Sequence, residues 1–546
     1  MIRRNDMAQL TRRDWLLGTA LAASMPALPT RAQAPASATP ARPTFDPTVV
    51  SAPHLEPAVP RPAQAQEAAR KLAALRARAG RPPNVLIFLV DDMGWGDCGA
   101  YGGGHLIGAP TPNIDALATG GLKLTSCYSQ PTCTPSRAAI MTGRLPTRSG
   151  LTRPILSGER VAVNPWADEV TTAGMLSNAG YQTALTGKWH LGEGEGLNPH
   201  QCGYDEYYGI LTVTSEMSQQ VDQRLYPDLI LRPERLAALQ ALAPAAITKG
   251  RKGGPLEVDR RVDSTAELSM LDQRFAEFSE GFIRRQVQAQ KPFYLMHSFA
   301  RLHNDNFPAP GYAGRSPAGF PHRDAIIEVD DIVGRIMAVL RETGQEENTL
   351  VFFTSDNGGN EDLWPDSSYQ PFRGGKGSTW EGGVRVPGLA YWPGMIKAGR
   401  ISDGLFDQCD MFNTPLSIAG IADRISTERY IDGVDQAGFL LTDTGESCRD
   451  IIFMYSENTL TAVRWMEYKV HWHVFLNQAT RRNLDENILV RVGMSPWVYN
   501  LYMDPKEQAS QGHSRFEWGI PQVMQRAGRH NATFERFPRK DIGLRQ

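Results

Sequence analysis

Apolar runs of strand length recur along this chain, and two of them stop at acidic residues. Val85-Leu86-Ile87-Phe88-Leu89-Val90 contains no polar side chain and ends at Asp91-Asp92. Thr349-Leu350-Val351-Phe352-Phe353-Thr354 ends at Ser355-Asp356-Asn357-Gly358. Runs of this kind predict parallel strands covered on both faces. Residues 182–186 and 293–296 read as further strands, and helical spacing is predicted at 135–142, 170–179 and 323–341. The alternation implies an α/β sheet. Ligands of such sheets sit outside the carboxyl ends of the strands, so two acidic strand ends point at one cleft. Between 212 and 257, Pro227, Pro233, Pro244 and Gly253-Gly254 interrupt a leucine- and alanine-rich stretch, which reads as an insertion over that cleft. Past Gly383 the text changes: a helix at 409–419 and strands at 450–455, 463–474 and 497–501 predict a smaller C-terminal α+β domain with an antiparallel sheet. The expected boundaries are 83–425 for the catalytic domain, with the insertion at 210–262, and 426–546 for the C-terminal part.

The N-terminus adds a destination. Arg12-Arg13 precede an apolar run ending near Leu28, and Ala32-Gln33-Ala34 follows, the order of a bacterial secretory leader over 1–34. Paired arginines favour the twin-arginine route for folded cargo, placing the mature protein in the periplasm or outside the cell. Residues 35–82 read as an Ala/Pro-rich spacer, with a short basic helix at 63–79 and packed sequence beginning at Asn84. A formal charge of −2 over 546 residues argues against a nucleic-acid partner. Six scattered cysteines, Cys98, Cys127, Cys133, Cys202, Cys409 and Cys448, are too few for a disulfide framework.

One cysteine belongs to a longer pattern. Cys133-Thr134-Pro135-Ser136-Arg137 runs into Ala138-Ala139-Ile140-Met141-Thr142-Gly143-Arg144, and this stretch resembles the modification signature of the type I sulfatases, in the alkaline phosphatase superfamily. The resemblance extends in order through Asn84 to Gly96, Pro112-Asn113-Ile114-Asp115, Gly187-Lys188-Trp189-His190, Ser355-Asp356-Asn357-Gly358, Arg373-Gly374-Gly375-Lys376-Gly377, Glu381-Gly382-Gly383-Val384-Arg385-Val386-Pro387 and Tyr499-Asn500-Leu501. It implies a large mixed, mostly parallel sheet sandwiched by helices, and hydrolysis of a sulfate ester to an alcohol or phenol and inorganic sulfate.

The resemblance also implies a site. Cys133 becomes formylglycine (3-oxoalanine), made before folding by a formylglycine-generating enzyme. Hydrated, it carries a covalent sulfo-enzyme intermediate. Asp91, Asp92, Asp356, Asn357 and residue 133 hold one cation; their hard oxygens suit calcium or magnesium rather than zinc, and the family favours calcium. Read alone, Asp-Asp and Asp-Asn pairs are more often turns or helix caps; behind buried strands they read as ligands. Arg137 stabilises the diol, Lys188 meets a sulfate oxygen, and His190 serves as the base that releases sulfate. Asp356 orients the attacking hydroxyl, and Lys376 neutralises the leaving oxygen. His303 matches the leaving-group histidine, although Leu302 stands where the family has proline; His297 competes for that role. Lys249, Arg251, Lys252, Arg260 and Arg261 form a loosely basic patch, read as a solvated face. Two other readings stay open: a formylglycine phosphonate monoester hydrolase or phosphodiesterase, and an unmodified, non-catalytic anion-binding protein. Aromatic, carbohydrate and alkyl sulfates all remain as substrates.

Overall fold

A computed structural model describes residues 46–543 apart from 160, 362–363 and 477–487. The leader and the first part of the spacer lie outside the described residues. Eleven strands form the main sheet: β1 (Asn84–Val90), β2 (Leu122–Tyr128), β3 (Gln182–Lys188), β4 (Glu206–Ile210), β5 (Ala246–Arg251), β6 (Leu256–Arg261), β7 (Phe293–Ser298), β8 (Thr349–Ser355), β9 (Arg385–Tyr391), β10 (Arg400–Ser402) and β11 (Phe406–Asp407). Their order is β10-β2-β9-β8-β1-β7-β3-β4-β5-β6, with β11 beside β2. The central strands β8, β1, β7, β3 and β4 run parallel, while β9 and the β5–β6 hairpin run antiparallel to their neighbours. This is the mixed, mostly parallel sheet that was expected.

The unbroken apolar runs exist because both faces are covered. Val85, Ile87 and Leu89 join one core with Ile140, Leu176 and Leu416 from the helices Cys133–Thr142, Thr172–Asn178 and Asp410–Ala419. Leu86, Phe88 and Val90 join the opposite core with Phe282, Ile326 and Ile336 from the helices Leu271–Gln288 and Pro321–Glu342. Alternation along a single strand thus feeds two separate cores. Because the central strands are parallel, β1, β3, β7 and β8 end on one edge of the sheet.

Three expectations change, two of them here and one in the C-terminal part. The segment 212–257 is not irregular throughout: β5 and β6 form a hairpin that widens the sheet through β4, turning at Gly253, whose φ is 78°. The described part of the spacer is folded, so packed sequence begins by Asp46 and not at Asn84. Leu55 pairs with Ile431, and the helix Pro62–Ala79 buries Ala68, Leu72 and Leu75. That apolar stripe at i, i+4 and i+7 is hidden in an alanine-rich composition. Arg76 donates to Ile418 O at 2.6 Å, and Asp46 pairs with Arg526 at 2.7 Å and Arg529 at 3.0 Å.

At the other end, β12 (Ile451–Ser456), β13 (Thr459–Trp465), β14 (Tyr468–His471) and β17 (Trp497–Asn500) form an antiparallel sheet in that order, and β15 (His473–Leu476) pairs with β16 (Ile488–Arg491). The single strand expected at 463–474 is three: it reverses at Met466, with φ 55°, and breaks again before His473. No described helix is long and apolar enough to cross a membrane.

The packing of the N-terminal helix has a direct check. Leu75 is 3% exposed, so Leu75→Ala is expected to lower unfolding free energy by about 2–4 kcal/mol in denaturant melts, with catalysis unchanged at 25 °C.

Candidate active site

Strands β1, β3, β7 and β8 each deliver a polar residue to one place on the carboxyl edge. Asp91 and Asp92 follow β1, and Asp356 and Asn357 follow β8; all four are fully buried. Lys188 closes β3. Gly187, with φ 96°, lets the strand turn there, since a Cβ would lie 1.7 Å from Ser298 O. Cys133 opens a helix all ten of whose residues are buried, and Arg137 lies one turn further along it. Lys376 reaches in from a glycine-rich loop whose backbone is tied to Gly359 and Pro131.

These groups form a balanced ionic cluster. Lys188 Nζ donates to Asp91 Oδ2 at 2.6 Å, and Lys376 Nζ donates to Asp92 Oδ2 at 2.8 Å. Arg137 grips Asp356 Oδ2 through Nε at 2.9 Å and a terminal nitrogen at 2.7 Å. Three carboxylates thus face three side-chain cations, all six buried. Cys133 Sγ lies 3.6 Å from Asp91 Oδ1 and 4.0 Å from Asp92 Oδ1. Asp92 and His190 have φ of 62° and 55°, a conformation that non-glycine residues adopt rarely and that collects at functional sites.

Burial and charge set the protonation states. Burial lifts Asp91 to about 7 against the pull of Lys188. For Asp92 burial acts in the same upward sense, but Lys376 and His303 outweigh it and hold the carboxyl low. Arg137 does the same for Asp356. Burial, then Asp356, pushes the Cys133 thiol up, so an unmodified cysteine here is a poor nucleophile at neutral pH.

The two histidines have different partners. His190 Nε2 lies 3.0 Å from Ile155 O, and a carbonyl only accepts, so Nε2 carries the proton. Its Nδ1 is buried without a partner, leaving a free lone pair. Burial and Lys188 hold this ring neutral, far below the usual histidine range. His303 Nδ1 is engaged by Asn304 O, and Nε2 lies 3.9 Å from Asp92 Oδ2. Burial, then Lys376, lowers His303 to about 3. His297 is elsewhere: it packs edge-on against Phe88 and Phe299, and its Nδ1 meets Ser279 Oγ at 2.8 Å. Of the two candidates, His303 stands with the cluster and His297 sits in the core.

The donor set fits a hard divalent cation. Asp91, Asp92, Asp356 and Cys133 bring ligand atoms within 4.8 Å of one another. Asn357 Nδ2 donates to Asp92 Oδ1 at 2.8 Å, while its Oδ1 is buried with no hydrogen-bond partner. An orphaned amide oxygen among carboxylates is what calcium or magnesium takes up.

Sequence reasoning missed the supports. Ser298 Oγ accepts from Arg137 at 2.6 Å and donates to Lys188 O at 2.8 Å, bridging helix and strand. Ser298 ends β7 on the same edge, so the strand-end rule that found Asp91 points to it too. Ser368 Oγ donates to Asp92 O at 2.9 Å, and Gln408 Nε2 donates to Ser355 O at 2.6 Å. The basic patch lies away from the cluster on β5, β6 and their turn. Lys249 pairs with Asp259 at 3.0 Å, and Lys252 donates to Ser177 Oγ at 2.9 Å.

A sheet of this order, with an acidic, cation-paired cluster beneath a helix N-terminus, suits an enzyme that takes an anionic ester at the carboxyl edge of its strands. The family described as Sulfatase matches residues 83–421, and the C-terminal region of aryl-sulfatase matches residues 447–540. The N-acetylgalactosamine-6-sulfatase of Canis lupus familiaris is 36% identical over 419 residues, 73% of this chain and 74% of that protein. The steryl-sulfatase of Mus musculus is 36% identical over 465 residues, covering 74% and 73%. The crystal structure of the PsFucS1 sulfatase from Pseudoalteromonas sp. superposes with a TM-score of 0.89 at 54% identity, over 91% of this chain and all of that one. The chain belongs to the sulfatase family: it is a type I sulfatase of the alkaline phosphatase superfamily, and a sulfuric ester hydrolase.

The placement of the two histidines makes an expectation. With a chromogenic sulfate ester, His303→Ala is expected to lower kcat/KM by about 10²–10³, and His297→Leu to leave it within about threefold.

Proposed function

We propose that this chain hydrolyses a sulfate monoester after Cys133 has become formylglycine, with one calcium ion held by Asp91, Asp92, Asp356, Asn357 and residue 133. The observation that carries the reading is the position of Cys133: buried at a helix N-terminus, beside two carboxylates that are themselves paired with Lys188 and Lys376, where a thiol is held protonated. Hydrated formylglycine supplies two hydroxyls on one carbon, one to attack sulfur and one to expel sulfate. The cation supplies charge neutralisation for the ester oxygens.

The side chains do the rest. Asp356, fixed by Arg137, orients the attacking hydroxyl. Lys188 reaches a sulfate oxygen from the Asp91 side. Lys376 lies against Asp92 with the His303 ring beside it, and its fixed ammonium meets the leaving oxygen, whose developing charge it stabilises by a few kcal/mol. His190 Nδ1, with its free lone pair, accepts the proton of the second hydroxyl when sulfate departs.

Charge supports a sulfate over a phosphate monoester. Once a bound cation holds Asp91 ionised, Asp91, Asp92 and Asp356 balance Arg137, Lys188 and Lys376, so a divalent cation leaves two positive charges. A singly charged sulfate ester and one deprotonated hydroxyl match that number, whereas a phosphate monoester exceeds it.

The same reading extends to biogenesis. Cys133 is 1% exposed, so a modifying enzyme must reach it before the chain folds. Conversion therefore precedes export of the folded protein by the twin-arginine route, which the leader favours.

Two measurements test the proposal. Turnover of an aryl sulfate is expected to exceed that of the matching aryl phosphate, phosphodiester and phosphonate monoester; faster phosphonate or diester turnover overturns it. Chelation is expected to abolish activity and lower the melting temperature, with calcium restoring both. At calcium a hundredfold above its Kd, the stabilisation is about 2.7 kcal/mol, and Asn357→Ala is expected to weaken it.

A further inference from the structure

Lys376 is the one cation of the cluster that stands on a loop, and that loop is held from behind by the C-terminal sheet. Glu381, fully buried, follows Lys376 by five residues. Its carboxylate accepts from Lys469 Nζ at 2.9 Å, Tyr128 OH at 2.7 Å and Arg385 at 3.2 Å. Glu507 Oε2 accepts the backbone N–H of Glu381 at 2.7 Å. Glu507 Oε1 meets His471 Nε2 at 2.7 Å and Lys469 Nζ at 3.3 Å. Lys469, His471, Glu381 and Glu507 are all fully buried.

The loop is pinned at other points by the same region. Arg373 donates to Glu507 O at 2.8 Å and lies 3.8 Å over the ring of Trp380. Trp380 Nε1 donates to Phe475 O at 3.2 Å, and Thr461 Oγ1 donates to Thr379 Oγ1 at 3.0 Å. Between Arg373 and Glu381, four residues are therefore fixed by partners on β13, β14, β15 and the segment after β17. A buried ion network is weak evidence for stability, because desolvation offsets attraction, but it strongly restricts geometry. A shift of about 1 Å in a charged group at the leaving oxygen is enough to cost catalysis.

We infer that Lys469 and Glu507 are positioning residues for Lys376, so that the C-terminal sheet sets how well the enzyme expels a poor leaving group. The inference rests on the assignment of Lys376 to the leaving oxygen. A phenol of low acidity needs that ammonium most; a strongly acidic nitrophenol needs it least. Loss of the network therefore has a signature that a general loss of folded enzyme lacks.

The experiment measures kcat/KM for full-length, calcium-loaded enzyme on aryl sulfates whose phenols span acidic to weakly acidic. Lys469→Met and Glu507→Gln are compared with Lys376→Ala. Each network variant is expected to lose about tenfold or more on phenyl sulfate and less than about threefold on the most activated ester, the same tilt as Lys376→Ala. Thr461→Val, which removes the hydroxyl and with it the contacts to Thr379 and to Met454 O, provides a milder variant that folds if the others do not; it is expected to tilt the series in the same direction by a smaller factor. An equal loss across the series, or none, in the folded variants while Lys376→Ala shows the tilt overturns the inference. Absence of the tilt in Lys376→Ala itself overturns the assignment of Lys376 on which the inference stands.

Discussion

Everything in this structure answers to the burial of three carboxylates at the ends of two strands. Removing Asp91, Asp92 and Asp356 from water is tolerated only because Lys188, Lys376 and Arg137 meet them at hydrogen-bond distance. Removing one partner of such a pair typically costs about 3–5 kcal/mol, because the other charge is stranded. The three cations come from three different pieces of chain: a strand end, a loop and a helix. The sheet, the helix on one of its faces and the loop that precedes β9 must all be in place for the three carboxylates to be paired together.

That constraint explains the layering around the site. The helix that opens with Cys133 is buried along its whole length, so its position is set by core packing as much as by Arg137. Ser298 ties the same arginine to β3 and β7, and Ser368 ties the backbone of Asp92 to the loop beyond β8. Behind the Lys376 loop, a second buried set of charges fastens the smaller sheet to the larger one. The N-terminal segment closes the assembly from outside, where Asp46 meets Arg526 and Arg529 of the last helix. Catalytic geometry here is a property of the whole packed chain.

Much of this was legible in the sequence, for reasons that are physical. The runs ending at Asp91 and Asp356 announced buried parallel strands because nothing polar interrupted them, and acidic strand ends had few other places to go than one cleft. Strand β2 and the antiparallel β9 beside it were harder to see. Leu122–Tyr128 mixes polar and apolar positions, and Arg385–Tyr391 contains Pro387 and Gly388. The choice between His297 and His303 depended on where β7 ends. His297 points into the core between two aromatic rings, while Ser298, which closes the strand, and His303 beyond it reach the cluster. The network around Glu381 could not be read at all, since its partners lie 88 and 126 residues away and each looks like an ordinary surface charge in isolation.

The central claim is that residue 133 acts as a formylglycine and not as a cysteine. The most direct measurement is the mass of the peptide containing residue 133, taken from enzyme produced in a host with formylglycine-generating activity. The account expects the aldehyde mass, or that of its hydrate, in proportion to the specific activity of each preparation. A fully active preparation whose peptide carries an unmodified cysteine contradicts it.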